Sequence, residues 1–169
     1  MRTVLATAAA AAAMTALPAL AQDVDFPARK PGQWTIAMTM EGAPPMSIEM
    51  CIDEASDKAM MQAGFAMSQN MCSEMNMARD GNTFTIDSVC KVGSMTTKGR
   101  VVMSGDYQSQ YTVQVNSENE GGPEGMPKTA SMTQTATWTG ACTDLKPGEM
   151  LMPGGMKVNV NDMMNGMGG

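Results

Sequence analysis

Six methionines near the C-terminus pose the first chemical question. Met150, Met152 and Met156 form one group and Met163, Met164 and Met167 a second, set among Gly, Pro and Asn. Thioether sulfur is a soft, neutral ligand that selects Cu(I) over harder ions, and close repeats let two or three sulfurs reach one ion. With 22 methionines and no histidine, the chain is biased towards the reduced ion. Both groups are therefore candidate copper(I) sites. Two other readings stand beside this one. Exposed methionine oxidises reversibly to the sulfoxide, which makes a methionine-dense surface an oxidant sink. Methionine is also an adaptable packing residue: Met38, Met40, Met46 and Met50 alternate with polar neighbours, and Met60, Met61 and Met67 recur at helical spacing, as core positions do.

Other chemistry is limited by what is missing. Without histidine there is no Ser-His-Asp triad, no Cys-His pair and no imidazole ligand. The stretch "EGGPEG" lacks the strand-to-helix setting of a phosphate-cradling loop. Carboxylates are plentiful, but no pattern pairs them. The expectation is a protein that is not an enzyme. A binding module is the main alternative to the copper reading. A curled sheet can hold an apolar ligand in its mouth, with Trp34 and Trp138 as lining residues, although a Trp on an inward strand face also serves as plain core.

Four cysteines, Cys51, Cys72, Cys90 and Cys142, are too scattered for a zinc site and fit two disulfides in an oxidising compartment. If the strands holding Cys51 and Cys72 are neighbours, a local Cys51–Cys72 bridge leaves Cys90 with Cys142. A simple meander puts those two at opposite ends of the sheet, so this pairing requires a crossing in loop 116–128.

The compartment follows from the first residues. "MRTVLATAAAAAAMTALPALA" has a basic start at Arg2, an apolar stretch and a small-x-small site at Ala19-Leu20-Ala21, which predicts a cleaved signal peptide over 1–21 and a first residue at Gln22. The expected location is periplasmic or extracellular. No later run has the roughly 20 apolar residues of a membrane span. The net charge is −6, and one unit more negative without Arg2, which offers no counter-charge to nucleic acid or anionic headgroups. An apolar ligand or an envelope protein is the expected partner; nothing in the sequence fixes an oligomeric state.

These residues must be positioned mostly by strands. "QWTIAMTM" and "MSIEMCI" alternate as a hairpin with one buried face, and "DEASDKAMMQAGFAMSQNM" carries a helix near 54–69, capped by Asp53 and ending before Asn70. Strands resume at Met75 and Met77, turn at "RDGN", and continue through "TFTIDSVC", "MTTKGRVVM", "YQSQYTVQV" and "TASMTQTATWT". The fold class is mainly β, a curled antiparallel sheet or barrel-like meander of about seven strands with one short helix, over residues 22–142. Residues 143–169, rich in Met, Gly and Pro, read as a mobile tail, with "MKVNV" the one stretch fit for an edge strand.

The order of "RKPGQW", "TIAMTMEG", "MCID", "RDGNTFTIDSVC", "MTTKGRVVMSGDYQSQYT" and "TGAC" resembles a bacterial family of exported proteins known only as domain of unknown function 3617. The resemblance spans about 29–142. It implies export and fold but no activity.

Overall fold

The computed structural model describes residues 26–160 and 162; the expected signal peptide and the group Met163, Met164 and Met167 lie outside them. The described chain forms β1 (Gly32–Met40), β2 (Met46–Ile52), α1 (Glu54–Met71), β3 (Cys72–Asp80), β4 (Thr83–Val92), β5 (Met95–Gly105), β6 (Gln110–Glu120), β7 (Thr129–Gly140), β8 (Glu149–Leu151) and β9 (Lys157–Asn159). All nine strands join one curled, unclosed antiparallel sheet in the order β3-β4-β5-β6-β7-β1-β2-β8-β9.

The seven expected strands are present because each alternates apolar and polar residues, which suits a sheet with one dry face. Two further strands come from the segment read as a tail. β8 pairs with β2 through Glu49–Leu151 and Met50–Met150, and β9 closes a hairpin on β8. The boundary expected at 142 does not divide the sheet. Leu145 is buried, and the Gly148 amide donates to the Cys51 carbonyl at 2.9 Å, so this short-strand segment is fastened to β2 without needing long alternation.

The helix is longer than the sequence suggests. Asp53 does cap it: the Ser56 amide donates to Asp53 Oδ1 at 2.7 Å, and the Asp53 amide donates to Ser56 Oγ at 2.9 Å. The reciprocal cap satisfies two backbone amides that a helix start otherwise leaves unpaired. At the other end it passes Gly64 and Asn70 and runs directly into β3. Topology explains the length. β2 and β3 are separated by five strands, roughly 29 Å of sheet at the usual strand spacing, and an 18-residue helix covers about 27 Å. The helix is the crossover.

That crossover corrects the disulfide pairing. The bridges are Cys51–Cys142 and Cys72–Cys90, not Cys51–Cys72 and Cys90–Cys142. Because β3 is not a neighbour of β2, Cys72 instead faces Cys90 across the β3–β4 pair. Cys51 lies beside Gln33 of β1, and Gly140, two residues before Cys142, lies beside Gln33 on the other side. Loop 116–128 makes no crossing, since β6 and β7 are adjacent.

Candidate functional site

Strand register turns separate alternations into rows that run across the sheet. At one end lie Met150, Met50, Trp34 and Trp138, then Ile48, Ile36, Ala136 and Tyr111. The next row is Met46, Met38, Gln134, Val113, Met103 and Phe84. The row beyond it is Met40, Met132, Val115, Val101, Ile86 and Met77, with no polar side chain in six strands. All these side chains share one face, since paired residues in a sheet point the same way.

The two ends of this face differ in cover. At the tryptophan end, Trp34, Ile36, Met50, Ile52, Tyr107, Tyr111 and Ala136 form the buried core. The segment preceding β1 closes it. The Arg29 amide donates to Asp57 Oδ2 at 3.0 Å, its Nε to Oδ1 at 2.7 Å, and its Nη1 to the Tyr111 hydroxyl at 3.1 Å. Burial pulls the Arg29 guanidinium down, but Tyr111 and Asp57 outweigh it and hold the pKa above its ordinary value. Lys30 Nζ lies 3.5 Å from the centre of the Trp138 ring. Phe26 packs between Phe65 of the helix and Phe84 of β4, with ring centres 5.9 and 5.2 Å away.

The β5–β6 turn completes this end. Tyr107 adopts φ 57, a conformation costly for a bulky residue, and is held there by stacking on Tyr111 at 5.3 Å and by burial, which also raises its hydroxyl pKa. Asp106 organises the turn. Its carboxylate accepts from the Ser109 hydroxyl and from the amides of Ser109, Gln108 and Gln110, which holds its pKa far below the usual carboxylate value. Gly105 is required opposite Tyr111, because a β-carbon there would stand 2.6 Å from the Tyr111 Cα.

The methionine end is open. The helix leaves β2 at the Trp34 end and reaches β3 at the Cys72–Cys90 end, so it crosses the face on a diagonal. The corner off that diagonal holds Met38, Met40, Met46 and Met132. Met40 is 48% and Met46 47% exposed, and the rest of the apolar row is half-buried. Within the corner, Gln134 Nε2 donates to the Met132 sulfur at 3.6 Å.

The candidate ligands and lining residues from the sequence fall as follows. Trp34 is wholly buried and donates its ring N–H to the Lys30 carbonyl at 2.9 Å; Trp138 donates to Pro31 at 3.1 Å. Both sit at the closed end, Trp34 inside the core and Trp138 partly buried beside it. Met150 packs against the core, while Met152 and Met156 face each other where the β8–β9 hairpin turns, with the Met152 amide donating to the Met156 carbonyl at 2.8 Å. Alternation puts all three on one side of that hairpin. Among the described residues, no group of three or more His, Cys, Asp and Glu is placed to hold a metal ion.

The opposite face carries a polar groove of about 540 Å³. Glu74, Asp87, Lys98, Arg100, Asn116 and Glu118 line it, and its cations are engaged: Arg100 with Asp87 at 3.0 Å and Lys98 with Glu120 at 3.3 Å. No described helix is long and apolar enough to cross a membrane.

What the sequence did not reveal was the latch of Arg29, Asp57 and Tyr111, and the joining of Met40, Met132 and Met77 into one row. Only the spacing of Gln134 and Met132 on one alternating strand pointed to their contact. No curated protein and no solved structure matches the chain. The family model of DUF3617, a protein of unknown function, matches residues 29–142, which takes in the latch, the closed core and the methionine corner, and the chain belongs to that family.

Proposed function

We propose that this is an exported, non-catalytic binding protein that takes an apolar ligand on the open methionine corner. The observation that carries the reading is the row Met40, Met132, Val115, Val101, Ile86 and Met77, apolar over six strands and ending in a side chain about half exposed. Leaving the Met40 end of this row open to water costs about 25 cal/mol per Å² of apolar surface. The open part, from Met46 of β2 through Met38 and Met40 of β1 to Met132 of β7, spans roughly 10 Å of sheet, which suits a segment of a hydrocarbon chain. Adaptable thioether side chains let such a surface fit ligands of varied shape. The small-x-small site at Ala19-Leu20-Ala21 supports export, which brings the face into contact with envelope lipids.

The test uses the chain expressed with its leader and recovered from the periplasm. Native mass spectrometry should show a protein that starts at Gln22 and retains an apolar adduct. The delipidated protein should bind the fluorescent probe N-phenyl-1-naphthylamine, and Met40→Glu and Met132→Glu should abolish binding while both disulfides still form. Probe binding that survives both substitutions would place the ligand elsewhere.

The soft-metal reading keeps one observation in its favour, the shared side of Met150, Met152 and Met156 on the β8–β9 hairpin. Replacing these three and Met163, Met164 and Met167 by Leu preserves apolar bulk and removes sulfur. Anaerobic competition against a Cu(I) chelator should show binding by the parent and none by the variant. Equal affinity in the two ends the copper reading.

A further inference from the structure

We infer that Met40, Met46 and Met132 are a sulfoxidation site that switches the apolar face from ligand-binding to ligand-releasing; the inference rests on the proposed function of that face. Three observations lead there. Met40 and Met46 are about half exposed, so their sulfurs meet solvent oxidants, whereas Met50 on the same face is 4% exposed and protected. Met132 lies directly opposite Met40, and Met46 directly opposite Met38, so the sulfurs are gathered in one corner. Gln134 is a polar residue in an otherwise apolar stretch of its row, from Met46 and Met38 across to Val113, Met103 and Phe84, and its amide donates to the Met132 sulfur.

That amide gives the site its direction. A thioether is a weak acceptor, whereas a sulfoxide oxygen is a strong one, so the same donor is already in place for the oxidised side chain. The reagent is a peroxide or hypohalous acid. The sulfur lone pair attacks the terminal oxygen of the peroxide, the S–O bond forms as the O–O bond breaks, and a proton passes to the departing hydroxide. Sulfur loses two electrons and the peroxide is reduced to water. The product side chain is polar and bulkier, and sulfoxide reductases return it to the thioether. A polar group buried under an apolar ligand without a donor of its own weakens binding, while Gln134 satisfies the oxidised Met132 in the free protein. The free state is favoured on both counts.

The experiment treats the delipidated, disulfide-intact protein with graded hydrogen peroxide. Peptide mass mapping and N-phenyl-1-naphthylamine binding are read on the same samples. Oxidation should appear at Met40, Met46 and Met132 while Met50 remains a thioether, and probe affinity should fall about ten-fold or more as these three convert. In the variant Met40→Leu/Met46→Leu/Met132→Leu the probe affinity measured before peroxide, whatever its value, should be unchanged after peroxide, because the corner then holds no thioether to oxidise. Gln134→Leu should leave Met40 and Met46 oxidation unchanged and, by removing the donor that satisfies oxidised Met132 in the free protein, should reduce the fold loss of probe affinity on oxidation. Full conversion of the three with no loss of affinity overturns the switch, as does an equal loss in the triple variant. If the untreated protein binds no probe, the ligand reading falls and the switch with it. A map in which Met50 oxidises as fast as Met40 overturns the site itself, whatever the probe does.

Discussion

One sheet face carries two regions built from the same alternation yet finished differently. At the tryptophan end, bulky rings, the β5–β6 turn and the Arg29–Asp57 pair bury Trp34, Ile36, Met50, Tyr111 and Ala136. At the methionine end, equally apolar side chains stand half-exposed because the helix crosses away from them. The difference is not hydrophobicity but cover. Apolar patterning drives a strand to turn one face inward, but burial also requires a second layer, and here that layer is a single diagonal helix whose only fully buried residues are Ser56 and Asp57. The closed end therefore carries stability, and the open end leaves Met40 and Met46 in reach of solvent.

Substitutions at the two ends should separate these roles. The largest loss is expected from Cys51→Ala/Cys142→Ala, whose bridge closes a separation of 91 residues beside the core; loop-closure entropy puts it at about 4.5 kcal/mol, against about 3 kcal/mol for Cys72→Ala/Cys90→Ala. Urea unfolding should rank the pairs in that order, and a reversed ranking would mean that the methionine side, not the tryptophan side, holds the fold. Asp57→Ala comes next. It strands the Arg29 guanidinium in a nearly buried site, where side-chain exposures are 10% and 7%, and loss of one partner there costs about 3 kcal/mol or more. A cost under about 1 kcal/mol would show that the segment before β1 does not seal the core.

Acid should act at the closed end too. Asp53, held by the Ser56 hydroxyl and amide, and Asp106, held by Ser109 and its neighbours, both have folded-state pKa values below the ordinary 3.8. Their contribution is complete above the unfolded value and is lost as pH falls through the folded ones. Asp106→Asn should flatten the stability profile below about pH 4 and leave neutral-pH probe binding intact. An unchanged acid limb would place the titration elsewhere. The smallest effect belongs to the open end: Met40→Leu/Met46→Leu should change stability by less than about 0.5 kcal/mol, because exposed apolar groups of equal bulk are exchanged. A loss comparable to that of Asp57→Ala would show that the corner is packed in solution.

Much of this protein was legible before any fold was drawn. Alternation in "QWTIAMTM" and its successors gives strands and faces, because side chains in a strand project with period two whatever lies beside them. Asp53 three residues ahead of Ser56 marks a helix start by local hydrogen bonding alone. What the chain does not carry locally is adjacency. Pairing Cys72 with Cys90 requires knowing that the helix spans five strands, and the pairing expected from neighbouring strands failed for that reason. The sequence predicts that the helix ends before Asn70, whereas it runs on to Met71, because intrinsic propensity is a weak term, outweighed here by the distance the crossover must span. Residues 149–151 and 157–159 looked like part of a tail because three-residue strands are too short to show a period; β8 is a strand only because the edge of β2 offers it a partner, and β9 because β8 does. The strand methionines Met38, Met40, Met46 and Met50, finally, were equal in the sequence. Register and the path of one helix decided that Met50 is core and Met40 is surface, since burial depends on what packs above a side chain, and that is a property of the assembled layers.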